Sequence, residues 1–160
     1  MENYSKLDQP NLLSAIFHPR TCAVSPLPKG GIDVNIETEP GVIIGCRFYI
    51  HDPTSPNILF FHGNGEIVAD YDDIGPLYNH AGMNLLVTDF RGYGWSTGNP
   101  TVSAMLSDAE ILFTEIQNWL TFNKYSGKLF LMGRSLGSVP AIDLATRHEE
   151  EIKGLIIESG

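Results

Sequence analysis

From Ile58 onward the apolar residues fall into short unbroken runs, each followed by a glycine-bearing segment and then by a stretch with helical spacing. Ile58 to Phe61 runs into His62-Gly63-Asn64-Gly65, and a helix is predicted from about Glu66 to His80, kinked or divided by Gly75-Pro76. Leu85 to Thr88 leads into Asp89-Phe90-Arg91-Gly92-Tyr93-Gly94. The next helix carries Val102, Met105, Ala109, Leu112, Ile116, Trp119 and Leu120 on one side, with Thr101 as its N-cap. Leu129 to Met132 then meets Gly133-Arg134-Ser135-Leu136-Gly137, and a helix follows from Leu136 to about His148. Gly154 to Ile157 reads as one more buried strand.

Upstream the spacing changes. Leu12, Leu13, Ile16 and Phe17 recur as on a short helix that His18-Pro19 ends, and Ser25 to Gly31 is a loop. Ile32 to Glu37 alternates apolar and polar, Val42 to Ile50 is largely apolar, and Glu39-Pro40-Gly41 is a turn between two strands. Wholly apolar strands alternating with amphipathic helices call for a mostly parallel sheet covered on both faces. The expectation is therefore an α/β three-layer sandwich of about six strands in a single domain: residues 1–31 form an N-terminal helix and loop, and 32–160 the sheet core.

Composition narrows the function classes. A net charge of −9, with ten scattered basic residues, opposes nucleic acid and anionic lipid, so no nucleic-acid partner is expected. No apolar run approaches the ~18 residues of a membrane span, and Met1 to Lys6 lacks the form of a secretory signal. Cys22 and Cys46 lie in unrelated contexts without metal-ligand spacing, which fits buried thiols in a reducing compartment and a cytoplasmic protein. No metal and no cofactor is expected. Asp70, Asp72 and Asp73 read as a solvated helix face, and neither a full G-x-G-x-x-G string nor a P-loop lysine follows any glycine turn.

The candidate chemistry lies in the glycine segments, all at the carboxyl ends of predicted parallel strands, where ligands bind in such sheets. Gly133-Arg134-Ser135-Leu136-Gly137 has the G-x-S-x-G form of a nucleophile elbow, a sharp strand-to-helix turn that holds Ser135 at strained angles with its hydroxyl toward a cleft. Gly133 and Gly137 mark places with no room for a Cβ. Acyl transfer also needs N–H donors aimed at the developing oxyanion. Leu136, at a helix start, is one candidate donor. The His62-Gly63-Asn64-Gly65 loop offers the other, at Asn64 or a neighbour, with Gly63 and Gly65 permitting close backbone approach. Asp89 and Arg91 read as braces for the glycine loop, while Tyr93 and Trp95 either line an acyl pocket or pack.

The set HGNG (62–65), DFRGYG (89–94) and GRSLG (133–137) resembles the α/β-hydrolase superfamily, and within it the Bem46-like serine hydrolases related to the S33 peptidases. The resemblance runs from about Ile32 to Gly160. It implies a sheet whose second strand is antiparallel, Ser135 as nucleophile, oxyanion donors from Leu136 and Asn64, and a supporting role for His62. In that family the acid and the histidine come after the seventh and eighth strands. Here the chain ends with the sixth, as a core lacking the last two.

None of the five histidines suits the missing base. His18 precedes the sheet, His51 closes the second strand, and His80 ends the first covering helix. His148 lies roughly 20 Å along the helix from Ser135. His62, in the oxyanion loop, stays open. Glu158 is a possible acid or a surface residue ending a strand. The expectations are a serine hydrolase of small-molecule esters, thioesters or amides, whose catalytic histidine and acid lie outside this chain, or a catalytically silent shortened member that binds partners. Residues 154–157, an apolar sheet edge, invite self-association.

Overall fold

The computed structural model describes residues 4–160. Six strands form one sheet: β1 (Gly31–Glu39), β2 (Val42–Tyr49), β3 (Asn57–Phe61), β4 (Asn84–Thr88), β5 (Leu129–Arg134) and β6 (Leu155–Glu158), in the order β1-β2-β4-β3-β5-β6. β2 runs antiparallel to both its neighbours, and β4, β3, β5 and β6 are mutually parallel. The helices are α1 (Pro10–Ile16), α2 (Gly75–His80), α3 (Val102–Phe122) and α4 (Ser138–Arg147).

Alternation along the central strands divides the core in two. Leu59, Phe61, Leu86 and Leu131 face Leu112, Phe113 and Ile116 of α3 and Ala141 and Leu144 of α4. Ile58, Phe60, Leu85, Val87 and Met132 face the other way, toward Val68, Tyr71 and Tyr78. α3 begins where expected, with the Thr101 hydroxyl accepting the Ala104 N–H at 3.0 Å. Connectivity then locates a crevice. The chain leaves β3 toward α2 on one face and leaves the adjacent β5 toward α4 on the other. Their diverging loops part at the strands' carboxyl ends, the usual place for a ligand in an open α/β sheet.

The division expected at Gly75-Pro76 is present, with less helix before it than drawn, and one expectation, for β6, changes. The helix drawn from Glu66 to His80 is a 3₁₀ turn at Val68–Tyr71 and a separate α2, because Pro76 has no N–H to continue it and Gly75 packs against the Tyr49 ring with no space for a Cβ. β6 is not buried: Leu155, Ile156 and Ile157 are 39%, 41% and 40% exposed. Among the described residues it pairs with β5 alone, and none of them forms a strand on its outer edge. Apolar character alone does not bury a strand without neighbours on its free edge. Cys46 is buried and Cys22 half-buried, and both are free thiols.

β1 and β2 are tied to the sheet's flank by Arg47, whose side chain is wholly buried. Its Nε and Nη2 donate to Asp33 at 2.7 and 3.0 Å, and its Nη1 to Asp72 at 3.0 Å and to the Ser25 hydroxyl at 2.9 Å. Trp95 lies over the guanidinium at 5.4 Å. Hydrogen bonding to Asp33, opposed by burial, holds the Arg47 pKa above its ordinary value. Arg47→Met leaves two acceptors facing an apolar group, and a loss of about 3 kcal/mol is expected in urea unfolding.

His148 caps the end of α4 between two carboxylates, Glu151 at 2.8 Å and Glu110 of α3 at 2.7 Å. Burial lowers its pKa, but the bonds to Glu151 and Glu110 outweigh that and the net shift is upward. A raised folded-state pKa stabilises below the unfolded value of 6.5, and that contribution fades as pH rises through the folded value. The stability gap between the native chain and His148→Gln should therefore be largest below pH 6.5 and shrink in alkali, as read from thermal unfolding across pH.

Candidate active site

Ser135 follows the last residue of β5, and its side chain is exposed at the crevice. Its φ is +48°, a left-handed conformation rare for a residue with a Cβ. Flanking glycines make the turn possible. A Cβ on Gly133 would overlap the Gly137 carbonyl, and one on Gly137 would overlap the Phe61 carbonyl at the end of β3. Gly137 itself has an ordinary helical φ of −63°, so its requirement is steric and not torsional. Through this contact the elbow presses directly on the start of the 62–65 loop. Leu136 lies in a 3₁₀ turn, Ser135–Gly137, at the head of α4, whose dipole favours negative charge there.

The loop is held from several sides. His62 is fully buried, with Nδ1 2.8 Å from the Gly63 carbonyl and Nε2 3.0 Å from Asp89 Oδ1. Asp89 Oδ1 also accepts the Val68 N–H at 2.9 Å, and its other oxygen lies where a Cβ on Gly94 would have to sit. Both His62 nitrogens are thus committed, which makes it a brace and not a base. Glu66 folds back on the loop: its Oε2 accepts the Gly63 N–H at 2.7 Å and the Tyr71 hydroxyl at 2.6 Å. Its Oε1 accepts Arg134 Nη1 at 2.6 Å, joining the loop to the residue before Ser135. Burial and then the bond to Glu66 push the Tyr71 hydroxyl pKa up, so it stays a donor.

Gly65 has a φ of +75°, and the Asn64 side chain turns away from the elbow toward Tyr93 and residues Ile16 and His18. No turn or side-chain hydrogen bond among the described residues uses the Asn64 N–H. The other candidates separate cleanly. Arg91 bonds both oxygens of Asp108 on α3, at 2.6 and 2.7 Å, and pairs with Glu39, so with Asp89 it braces the loops. Tyr93 is buried, and Trp95 packs on Gly45 while donating to Asn35 at 2.9 Å, so both are packing residues. Asp70 pairs with Arg20 and Asp72 with Arg47, and no metal-binding cluster occurs among the described residues. Glu158 is exposed and lies 3.7 Å from Arg134 Nε. No helix among the described residues is long and apolar enough to cross a membrane.

The profile of the family described as "Serine aminopeptidase, S33" matches residues 52–160, which hold both the elbow and the loop. The chain belongs to this α/β-hydrolase family. It is similar to alpha/beta hydrolase domain-containing protein 17C of Xenopus tropicalis, at 32% identity over 117 residues, covering 70% of this chain and 36% of that protein. Protein 17B of Homo sapiens is 32% identical over 121 residues, covering 70% and 39%. The chain therefore spans under two-fifths of these relatives' length. Among solved structures, a haloalkane dehalogenase variant from Bradyrhizobium elkanii superposes with a TM-score of 0.63 at 21% identity, covering 82% of this chain and 41% of that one. The thioesterase domain from the curacin biosynthetic pathway gives 0.62 at 22%, covering 79% and 45%. At those identities the likeness is one of fold.

Within this S33-family frame, sequence reasoning missed Glu66 and Arg134 as braces. Glu66 had a local signal, since a carboxylate three residues after Gly63 can reach back to its N–H as in a capping box. Its bond to Arg134, 68 residues away, had none. Gly137→Ala is expected to cost about 3 kcal/mol in urea unfolding, because the obstacle is backbone. Gly41→Ala, at a φ of +81° with no atom near its Cβ, should cost only about 1 kcal/mol.

Proposed function

We propose that the protein is a serine hydrolase whose Ser135 attacks the carbonyl of an ester, thioester or amide. The carrying observation is an exposed serine at φ +48°, locked between two glycines whose Cβ positions are filled by backbone, at the crevice of an α/β-hydrolase sheet. The Oγ–carbonyl bond forms as the hydroxyl proton leaves to a base, and the negative charge gathers on the former carbonyl oxygen. Leu136 and Asn64 N–H groups receive that charge, with the head of α4 adding its dipole. The leaving group departs with a proton, and water then cleaves the acyl-serine by the reverse pathway. His62, Gly63, Gly65, Glu66 and Arg134 support the loop and do not touch the reacting atoms.

Proton transfer is the weak half of this site. No side chain is hydrogen-bonded to the Ser135 hydroxyl among the described residues, and the histidines at 62 and 148 are both engaged by carboxylates. Full turnover therefore requires a histidine that none of the five supplies from its present place. Removal of the base in such enzymes leaves a residue of catalysis from the oxyanion hole and binding. A second reading rests on β6: its three exposed apolar residues and free edge favour a binding module that pairs strand to strand, including with its own copy.

A fluorophosphonate probe separates the two. Slow covalent labelling of Ser135, seen as an intact-mass shift and abolished in Ser135→Ala, is the expected result, with little or no steady-state hydrolysis of p-nitrophenyl acetate. An intact fold that takes no label would instead leave the module reading standing.

A further inference from the structure

The edge of the sheet opposite β6 is β1, which pairs with β2, and among the described residues no strand lies beyond it. No turn or loop bond among them uses the main chain of residues 33–38 either. Beside this edge a groove of about 540 Å³ runs between β1 and the second half of α3. Residues 34–37 all line it. Consecutive strand residues point to opposite faces, so a groove that touches four in a row reaches around the main-chain edge itself. α3 contributes Glu115, Trp119 and Phe122, at the i, i+4 and i+7 positions of one helix face.

The lining is of two kinds. Val34, Ile36 and Trp119 make an apolar floor, and the Trp119 ring is held by Phe48, edge-on at 5.0 Å, and by Tyr125, stacked at 5.5 Å. Phe122 stands 86% exposed, the most of any large apolar residue among the described ones. Against these lie two exposed carboxylates. Glu37 accepts the Gly41 N–H at 2.9 Å and Glu115 the Asn118 amide at 3.5 Å, but neither meets a cation among the described residues. Arg20, Arg47, Arg91, Arg134 and Arg147 are all set against carboxylates elsewhere.

Aromatic rings beside unmatched carboxylates suit a cation carried on an apolar stem, and an open main-chain edge suits a strand. We propose that β1 and its groove take an extended, basic segment of another protein, added to the sheet as a strand. On alternate positions that segment lays an apolar side chain on Phe122 and pairs a lysine or arginine with Glu37 or Glu115. A second copy of this chain is the poorer occupant. Asp33, Glu37 and Glu39 are the only charged residues of β1 and share the face away from Ile36, so edge-to-edge pairing of two copies brings like charges together. A basic segment gains from the same charges, and the net charge of −9 steers its approach. Three strands separate β1 from β5, so the proposal is independent of Ser135.

A fluorescein-labelled peptide, Thr-Val-Thr-Phe-Thr-Lys-Thr-Lys-Thr, tests this by anisotropy on the whole chain at low salt. Binding is expected, and the same peptide with Glu in place of Lys should bind at least about 10-fold more weakly. Phe122→Ala, at a position too exposed to matter for folding, should weaken the lysine peptide about 5-fold. Glu37→Gln with Glu115→Gln should do likewise, and that difference should close in about 1 M salt. Successive residues of an added strand turn their N–H groups toward and away from the sheet. N-methylation of the odd or the even residues should therefore abolish binding in one set and spare it in the other. No binding, equal binding of the lysine and glutamate peptides, no effect of Phe122→Ala, or equal effects of the two methylated sets each overturns the proposal. So does a peptide-free dimer in sedimentation that Phe122→Ala dissolves, because the groove then belongs to a second copy.

Discussion

The site depends on the absence of two Cβ atoms. With nothing beyond hydrogen at Gly133 and Gly137, the turn from β5 into α4 closes on itself and comes to rest against the carbonyls of Phe61 and His62. That contact joins two neighbouring parallel strands at their carboxyl ends, where their connections leave for opposite faces of the sheet. It also sets the direction of Ser135. A turn this tight leaves the middle residue only a left-handed backbone, and its side chain then points outward from the sheet's end. Larger residues at either glycine would lift the elbow off the loop that follows β3.

Around that contact the loop is overdetermined. Asp89 reaches it through His62, Arg134 through Glu66, and the end of α1 through Asn64. Each tie comes from a different stretch of chain, so no single fluctuation frees the loop. Such preorganisation is what an oxyanion site needs, because donors already fixed in place require no reorganisation as charge develops. Strain at Ser135 is affordable in the same terms: a cost of about 1–3 kcal/mol is carried by a neighbourhood bonded on every side.

What the sequence revealed follows from how far apart the determinants lie. The elbow, the glycine loop and the Thr101 cap are each written within about five consecutive residues, and short apolar runs between them identify the parallel strands. The burial of Arg47 was invisible, because its partners Ser25, Asp33 and Asp72 come from three separate segments. The contact of His18 with Asn64 was equally invisible, because it joins residues 46 positions apart. β6 misled for the opposite reason. Its residues carry a core pattern, but burial belongs to a strand's neighbours, and among the described residues none lies on its outer side.

The two halves of acyl-transfer chemistry are therefore unequally represented. Holding the carbonyl and receiving its charge require backbone geometry, and under the proposed function that task falls to β3, β5, α4 and their loops, which meet in one backbone contact. Moving the proton requires a titratable ring held against Ser135, and here the buried ring, His62, is already committed to Asp89. Nothing in the bracing of the loop uses the Ser135 hydroxyl. Under the proposed function, the elbow supports binding and charge stabilisation and does not by itself support turnover. An individual oxyanion donor is worth about 10²–10³ in rate, so under the proposed function donors acting without a base would give covalent reactivity well below that of a full triad.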